Sequence, residues 1–75
     1  MEREGFESSV IASAGYDPDV RTLEVEFVSG EVYRYFMVPA RAWRELRTAE
    51  SAGAYFGSRI RGRYPEEWMP SGGTR

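Results

Sequence analysis

Hydrophobic and polar residues alternate strictly along LEVEF at positions 23–27, and this alternation predicts a β-strand with one buried face. A second apolar run, VYRYFMV at 32–38, follows the turn sequence VSGE and predicts the next strand. The small residues at 10–16 predict a weaker first strand, which the turn sequence DPDVRT separates from LEVEF. The three runs together predict a three-stranded antiparallel β-meander.

The spacing of apolar residues becomes helical after Pro39, which lacks an N–H group and therefore suits the start of a helix. The segment ARAWRELRTAE at 40–50 gathers its apolar residues on one side of a helical wheel and its arginines on the other. Gly53 is the expected cap at the C-terminal end of this helix, and Ser51 is a candidate N-terminal cap for a second short helix in AYFGSRI at 54–60. The predicted fold class is α+β, a three-stranded antiparallel β-meander followed by two short α-helices packed on one face.

The hairpin between the second and third strands has two plausible registers, which place Tyr33 and Tyr35 on opposite faces. A loop of Ser29-Gly30 alone would put Arg34 in the middle of the core face and leave both tyrosines outside as a base-stacking platform. A loop of three residues, 28–30, with the glycine in the left-handed conformation, would put both tyrosines in the core. Because burying an unpaired charge is costly, the three-residue loop is favoured, and the stacking platform is the alternative.

The favoured register pairs Glu24 with Arg34 on the outer face, where an exposed pair contributes only about 0.2–1 kcal/mol. Val32 and Phe36 also face outward there, either covered by the chain termini or forming a contact patch. The predicted core consists of Ile11, Leu23, Val25, Phe27, Tyr33, Tyr35, Trp43, Leu46, Phe56, Ile60 and Tyr64.

The length of 75 residues allows one domain, which is expected to span residues 8–65, with flexible termini at 1–7 and 66–75. The chain has no cysteine and no histidine, which excludes disulfides, cysteine-based zinc sites and a histidine general base. The remaining carboxylates are explained by turns, an open sheet face or the tail, so an enzyme is not expected and neither is a cofactor or metal. With no signal-like or membrane-spanning apolar run, the expected location is the cytoplasm.

Charge is distributed unevenly along the chain. Residues 1–38 hold eight acidic residues and three arginines, whereas residues 39–64 hold six arginines and two glutamates. Arginine binds phosphate through two parallel hydrogen bonds, so the basic half contains the candidate nucleic-acid contacts: Arg41, Arg44, Arg59, Arg61 and Arg63. A solvated helix face and a favourable charge at a helix C-terminus explain the same residues without any ligand.

Several short motifs, taken together, resemble the KTSC domain family. They are SSVI at 8–11, GYD at 15–17, LEVEF at 23–27, YRY at 33–35, VP at 38–39, AESAG at 49–53, YF at 55–56 and IRGRY at 60–64. The family is named for its occurrence at the C-terminus of some lysyl-tRNA synthetases, and the central Tyr-x-Tyr is its signature. The resemblance implies a small α+β domain, and RNA binding has been suggested for the family from the synthetase association.

Two functional hypotheses follow for a small non-enzymatic binding module. The first is weak, salt-sensitive binding of RNA or another nucleic acid through the Arg-rich helical region. The alternative is a protein-protein interaction or self-association through the outer sheet face, with Val32, Arg34 and Phe36 as contacts. Both describe a monomer or weak homodimer without a membrane partner.

Overall fold

The computed structural model describes residues 1–70, which form a five-stranded antiparallel sheet and two helices. Strand order in the sheet follows the chain, β1-β2-β3-β4-β5. The elements in chain order are β1 (Glu4–Gly5), β2 (Ile11–Asp17), β3 (Thr22–Phe27), β4 (Val32–Tyr35), α1 (Ala40–Thr48), α2 (Ala52–Arg59) and β5 (Glu66–Trp68). The α+β class is therefore confirmed.

The predicted strand number of three is wrong, because the meander β2–β4 gains one short strand at each edge. Both extra strands come from segments that the sequence analysis assigned to flexible termini. β1 has two residues and β5 has three, too few to show an alternating pattern. Their pairing with β2 and β4 is a tertiary effect. The predicted flexibility of residues 71–75 lies outside the described residues.

The hairpin register that sequence reasoning favoured is confirmed. Val25 is paired with Tyr33, and Leu23 is paired with Tyr35. The Phe27 N–H donates to the Glu31 carbonyl at 2.9 Å, which closes a loop of three residues. Gly30 has a φ of +98°, the left-handed conformation that this loop needs and that glycine adopts without steric cost.

The core lies between the sheet and the two helices. Each large apolar side chain buried there contributes about 1.5–3 kcal/mol relative to exposure. Seven predicted core residues are buried: Ile11, Leu23, Val25, Tyr35, Leu46, Phe56 and Ile60. Four others are only partly buried and pack against this cluster: Phe27, Tyr33, Trp43 and Tyr64.

The junction between the helices differs in part from the prediction. The hydroxyl of Ser51 accepts a hydrogen bond from the Ala54 N–H at 3.2 Å and caps α2 as expected. Gly53 does not cap α1 but is the second residue of α2. A Cβ at Gly53 would lie 2.9 Å from Cγ2 of Val10, so glycine is needed there for close packing against the chain before β2.

The outer face of the sheet is closed by the N-terminal segment rather than open to solvent. The backbone at Glu2 passes so close to Gly15 that any Cβ on Gly15 would collide with it. This crossing brings Arg3 over the sheet, where its Nε lies 2.7 Å from Oε2 of Glu24. Glu24 is completely buried as a result, and the expected exposed Glu24–Arg34 pair is part of a covered ionic cluster.

Candidate functional site

An open groove of about 900 Å³ lies between the β3–β4 hairpin and the segment that follows α2. Phe27, Tyr33 and Tyr35 project into it from the sheet, while Arg61 and Arg63 line it from the segment after α2. Clefts of about 300–1,000 Å³ are the usual size for binding small ligands. The groove is therefore the candidate functional site of the described chain.

The groove exists because the helices cover the sheet unevenly. Trp43 of α1 stacks on Tyr16 of β2, with ring centroids 5.9 Å apart. Phe56 of α2 packs edge-to-face on Phe27 and on Tyr35, at centroid distances of 5.3 and 5.4 Å. Tyr33 lies on the same face of the sheet but is only partly buried. Each of the two interpretations thus applies to one tyrosine. Tyr35 is a core residue, whereas Tyr33 forms part of the groove wall, where a base could stack on it.

Strand β5 adds two side chains to this face of the sheet: Glu66, which lines the groove, and Trp68, which lies beyond its lining. Trp68 is paired with Tyr33 and Glu66 with Tyr35, and directly opposed residues project from the same face of a sheet. Trp68 is 53% exposed, and Glu66 lines the groove. The result is an aromatic row of Tyr33 and Trp68 beside a polar row of Tyr35 and Glu66.

The phenol of Tyr35 stays protonated at neutral pH. Burial raises the pKa of Tyr35 above its ordinary value, and the neighbouring Glu66 carboxylate raises it further, while the positive charge of Arg61 acts in the opposite direction. Tyr35, Glu66 and Arg61 all line the groove, and the Tyr35 hydroxyl is a hydrogen-bond donor to Glu66. They provide a neutral phenol, a carboxylate and a guanidinium within one small region.

The arginines of the groove lie on a tight turn after α2. The N–H of Arg61 bonds to the Phe56 carbonyl at 2.9 Å, and the N–H of Arg63 bonds to the Ile60 carbonyl at 3.0 Å. Gly62 between them has a φ of +78°, and the space beside its Cα is open. This turn places Arg61 and Arg63 on the groove with an accessible backbone between them, so a phosphate can approach closely.

The other predicted nucleic-acid contacts lie elsewhere. Arg41 and Arg44 are exposed on α1, and Arg59 is exposed in the last turn of α2, all outside the lining of the groove. The structure therefore divides the five candidate arginines into a groove pair, Arg61 and Arg63, and three solvated side chains.

The predicted protein-contact residues lie on the outer face, but they do not form a continuous exposed patch. Val32 is only 2% exposed, and its carbonyl accepts a hydrogen bond from the Met69 N–H at 2.8 Å. The Nε of Arg34 is held 2.9 Å from Glu24. Phe36 is partly buried, and its N–H donates to the Pro65 carbonyl at 2.9 Å.

Sequence reasoning missed Glu66 as a groove residue, and Trp68 as a residue of the same sheet face, because it placed both in a tail. Their role depends on the pairing of β5 with β4, which joins positions more than thirty residues apart in the chain. Among residues 1–70, no cluster of three or more acidic side chains is arranged to hold a metal ion. No helix in this part of the chain is long and apolar enough to cross a membrane.

Comparison with known proteins gives one family and a consistent fold. The KTSC domain model matches residues 7–64. The crystal structure of a KTSC domain protein from Yersinia pestis superposes with a TM-score of 0.89 at 38% identity, covering 91% of this chain and 96% of that one. An uncharacterized protein from Stutzerimonas stutzeri is 40% identical over 68 residues, which is 91% of this chain and 96% of that protein.

A second group of relatives is much longer. A lysine–tRNA ligase from Nostoc is 43% identical over 63 residues, and a second one, from Trichormus variabilis, is also 43% identical over 63 residues. The match covers 84% of this chain but only 11% of each ligase. The chain thus corresponds to a small segment of these ligases.

Proposed function

The chain belongs to the KTSC domain family, and from that premise we propose that it is a non-enzymatic binding module that takes single-stranded RNA in its groove. The observation that carries the proposal is the position of Arg61 and Arg63 beside the aromatic row of Tyr33 and Trp68. The arginines can bind phosphate, and the aromatic rings can stack on a base. Together they match the two components of a nucleic acid strand, the phosphate and the base.

The arginines and aromatic rings of the groove suit an unpaired strand better than a duplex. Arginine side chains bind phosphate bidentately, and stacking of a base on an aromatic ring contributes about 1–3 kcal/mol. Bases in a duplex are already stacked and paired, so they cannot stack on Tyr33 in the groove or on Trp68 beside it. Single-stranded regions, loops and bulges can present splayed bases to it.

The relatives support an RNA ligand in particular. Lysine–tRNA ligases, whose name gives tRNA as a substrate, contain a segment similar to this chain. A proposed location in the cytoplasm, and a monomer or weak homodimer, are consistent with such a module. The chain as a whole carries a net charge of −2, so binding is expected to be weak and to fall steeply with salt.

The carboxylates of the outer face support a non-enzymatic role. Glu24 is held between Arg3 and Arg34, and Glu26 accepts hydrogen bonds from Arg3 and from the hydroxyl of Ser13. These contacts give both carboxylates a role in stabilising the fold that needs no substrate.

Protein docking through the outer face is the alternative. The outer face offers little exposed apolar surface for a partner, because Val32 is only 2% exposed and Phe36 is partly buried. A Phe36→Asp substitution tests it: loss of a partner with RNA binding intact would support docking there.

The test of RNA binding is a fluorescence-polarisation titration with a single strand of about eight nucleotides, a hairpin RNA and a DNA duplex. Each is titrated at about 50 mM and about 200 mM salt. The parent is compared with an Arg61→Glu/Arg63→Glu variant. The matched control is Arg41→Glu/Arg44→Glu, which makes the same change in charge on α1, away from the groove.

We expect the parent to bind the single strand with an affinity that falls as salt rises. Binding should be lost in Arg61→Glu/Arg63→Glu and largely kept in Arg41→Glu/Arg44→Glu. Equal losses in both variants would indicate non-specific attraction to positive charge and remove the groove as the site. The absence of binding at low salt would overturn the proposal.

A further inference from the structure

Glu66 is an unexpected residue for a groove that binds phosphates. It lies opposite Tyr35 on the neighbouring strand, and both line the groove with Arg61. A carboxylate repels a phosphate and partly cancels the attraction of the arginines. The Tyr35 hydroxyl is a hydrogen-bond donor to Glu66 within the protein, but an ionised carboxylate has about four acceptor sites. The exposed side of Glu66 can therefore accept hydrogen bonds from a ligand group.

An ionised carboxylate is an acceptor only, with two oxygens that can receive two parallel N–H groups. Among the four RNA bases, guanine alone displays two adjacent donors on its pairing edge, N1–H and the N2 amino group. Adenine and cytosine each place one amino donor beside a ring-nitrogen acceptor, and uracil places one N–H between two carbonyl acceptors. Those acceptors would face the Glu66 carboxylate and be repelled.

The spacing on the sheet also suits a stacked base. Trp68 and Glu66 are two positions apart on β5 and project from the same face, which separates them by about 7 Å along the strand. A purine stacked on the aromatic row of Tyr33 and Trp68 can thus turn its pairing edge toward the carboxylate. The phosphates on either side of that nucleotide are then near Arg61 and Arg63.

We infer that the groove selects an unpaired guanine, with the Glu66 carboxylate accepting hydrogen bonds from N1–H and the N2 amino group. This inference rests on the proposed RNA binding and adds base selectivity to it. Phosphate contacts fix the strand without reading its sequence, so Glu66 is the specificity-determining residue.

The test uses four fluorescein-labelled oligouridines of about eight nucleotides that differ only in one central base, which is G, A, C or U. The guanine strand is expected to bind the parent about tenfold more tightly than the other three, as for other bidentate contacts to a base edge. Glu66→Gln should bring the four affinities within about twofold of one another, because an amide presents a donor in place of one acceptor.

Glu67→Gln is the matched control. Glu67 is the next residue of β5, so its side chain projects from the opposite face, where it is paired with Arg34. The Glu67→Gln substitution removes the same charge from the same exposed strand, and the variant is expected to keep the preference for guanine. The circular dichroism spectrum of each variant verifies that the sheet is intact.

Three results overturn the inference, and they differ in what they mean for RNA binding itself. Equal affinity of the parent for all four strands, with binding still lost in Arg61→Glu/Arg63→Glu, removes guanine selection and leaves RNA binding standing. A guanine preference that survives Glu66→Gln assigns the selection to another group. No binding of any strand removes both proposals.

Discussion

Glu24 and Arg34 face each other across β3 and β4, and the Nε of Arg34 lies 2.9 Å from a carboxylate oxygen of a fully buried Glu24. The second oxygen of Glu24 lies 2.7 Å from the Nε of Arg3, which comes from the N-terminal segment. One buried carboxylate thus connects three segments of the chain: the segment around Arg3, β3 and β4. Its energetic role differs from that of an exposed pair, because its charge has no access to water.

Glu24→Gln is expected to lower the free energy of unfolding by about 3 kcal/mol. Removing one member of a buried ionic cluster costs about 3–5 kcal/mol, and the lower value applies here because both arginines remain partly exposed. Urea denaturation followed by circular dichroism measures the change. Glu67→Gln, an exposed substitution of the same kind on β5, should change stability by less than about 0.5 kcal/mol. Equal denaturation midpoints for the two variants would contradict a stabilising role for the cluster.

Alanine substitutions at two glycines of α2 are expected to change the free energy of unfolding in opposite directions. Gly57 has open space beside its Cα, so Gly57→Ala should raise the free energy of unfolding by about 0.5–1 kcal/mol through helix propensity alone. Gly53→Ala would place a Cβ 2.9 Å from Cγ2 of Val10, a side chain that is stiff because it is branched at Cβ. It should lower the free energy of unfolding by about 1–2 kcal/mol.

Adding Val10→Ala to Gly53→Ala tests the cause of that loss. Val10→Ala removes Cγ2 but keeps the Val10 Cβ, which would lie 3.1 Å from the added Cβ. The double variant should therefore regain part of the stability that Gly53→Ala loses. Thermal melts of the single and double variants make the comparison. A double variant less stable than Gly53→Ala alone would show that the contact with Val10 is not the reason for the glycine.

The hairpin register was predictable because its alternatives differ by a large energy. Only the loop of residues 28–30 keeps Arg34 out of the core while it buries Tyr35, so the pattern of the sequence was decisive. The arginine cluster after α2 was equally visible in the sequence. In both cases the evidence lay within a few neighbouring residues.

The edge strands and the groove were not predictable in the same way. Nothing in three residues at 66–68 distinguishes a strand from a tail, and their pairing with β4 is decided by the tertiary structure. The burial of Glu24 likewise depends on Arg3, more than twenty residues away, crossing above Gly15. The positions of Glu66 and Trp68 therefore emerged only from the sheet topology.

Stability is expected to decrease at alkaline pH because of Tyr55. Its hydroxyl donates to a carboxylate oxygen of Glu45 at 2.6 Å, and burial together with that partner raises the pKa of Tyr55 to about 12. An unfolded tyrosine ionises near pH 10, so between about 10 and 12 the unfolded state releases a proton that the folded state keeps. The contribution is complete below pH 10 and is lost as pH rises through this window.

Tyr55→Phe removes one ionising group and should make the free energy of unfolding fall less steeply above about pH 10. Some dependence remains, because burial also raises the pKa of Tyr35. Urea denaturation at about pH 8, 10 and 11 gives the slopes for parent and variant. Identical slopes would mean that Tyr55 titrates alike in the folded and unfolded chain.

Alanine substitutions at Tyr33 and Tyr35 are expected to have different effects, although the two residues are only two positions apart on one strand. Tyr35→Ala should lower stability, whereas Tyr33→Ala should weaken RNA binding. Tyr35 is 1% exposed and packs on Phe56, so Tyr35→Ala should cost about 3–5 kcal/mol and leave a domain of this size largely unfolded. Tyr33 lines the groove and is only partly buried, so Tyr33→Ala should stay folded. It should bind single-stranded RNA at least about fivefold more weakly, because one stacking surface is lost.

Thermal melts followed by circular dichroism, and then polarisation titrations of the folded variants, test this difference. Tyr35→Phe is the matched control for the buried position, because it keeps the ring against Phe56 and removes only the hydroxyl. A Tyr35→Ala variant that melts like the parent would contradict the hairpin register and with it the position of the core. A folded Tyr33→Ala variant that binds RNA as tightly as the parent would exclude Tyr33 from the binding surface, and the arginine turn alone would then have to account for the affinity.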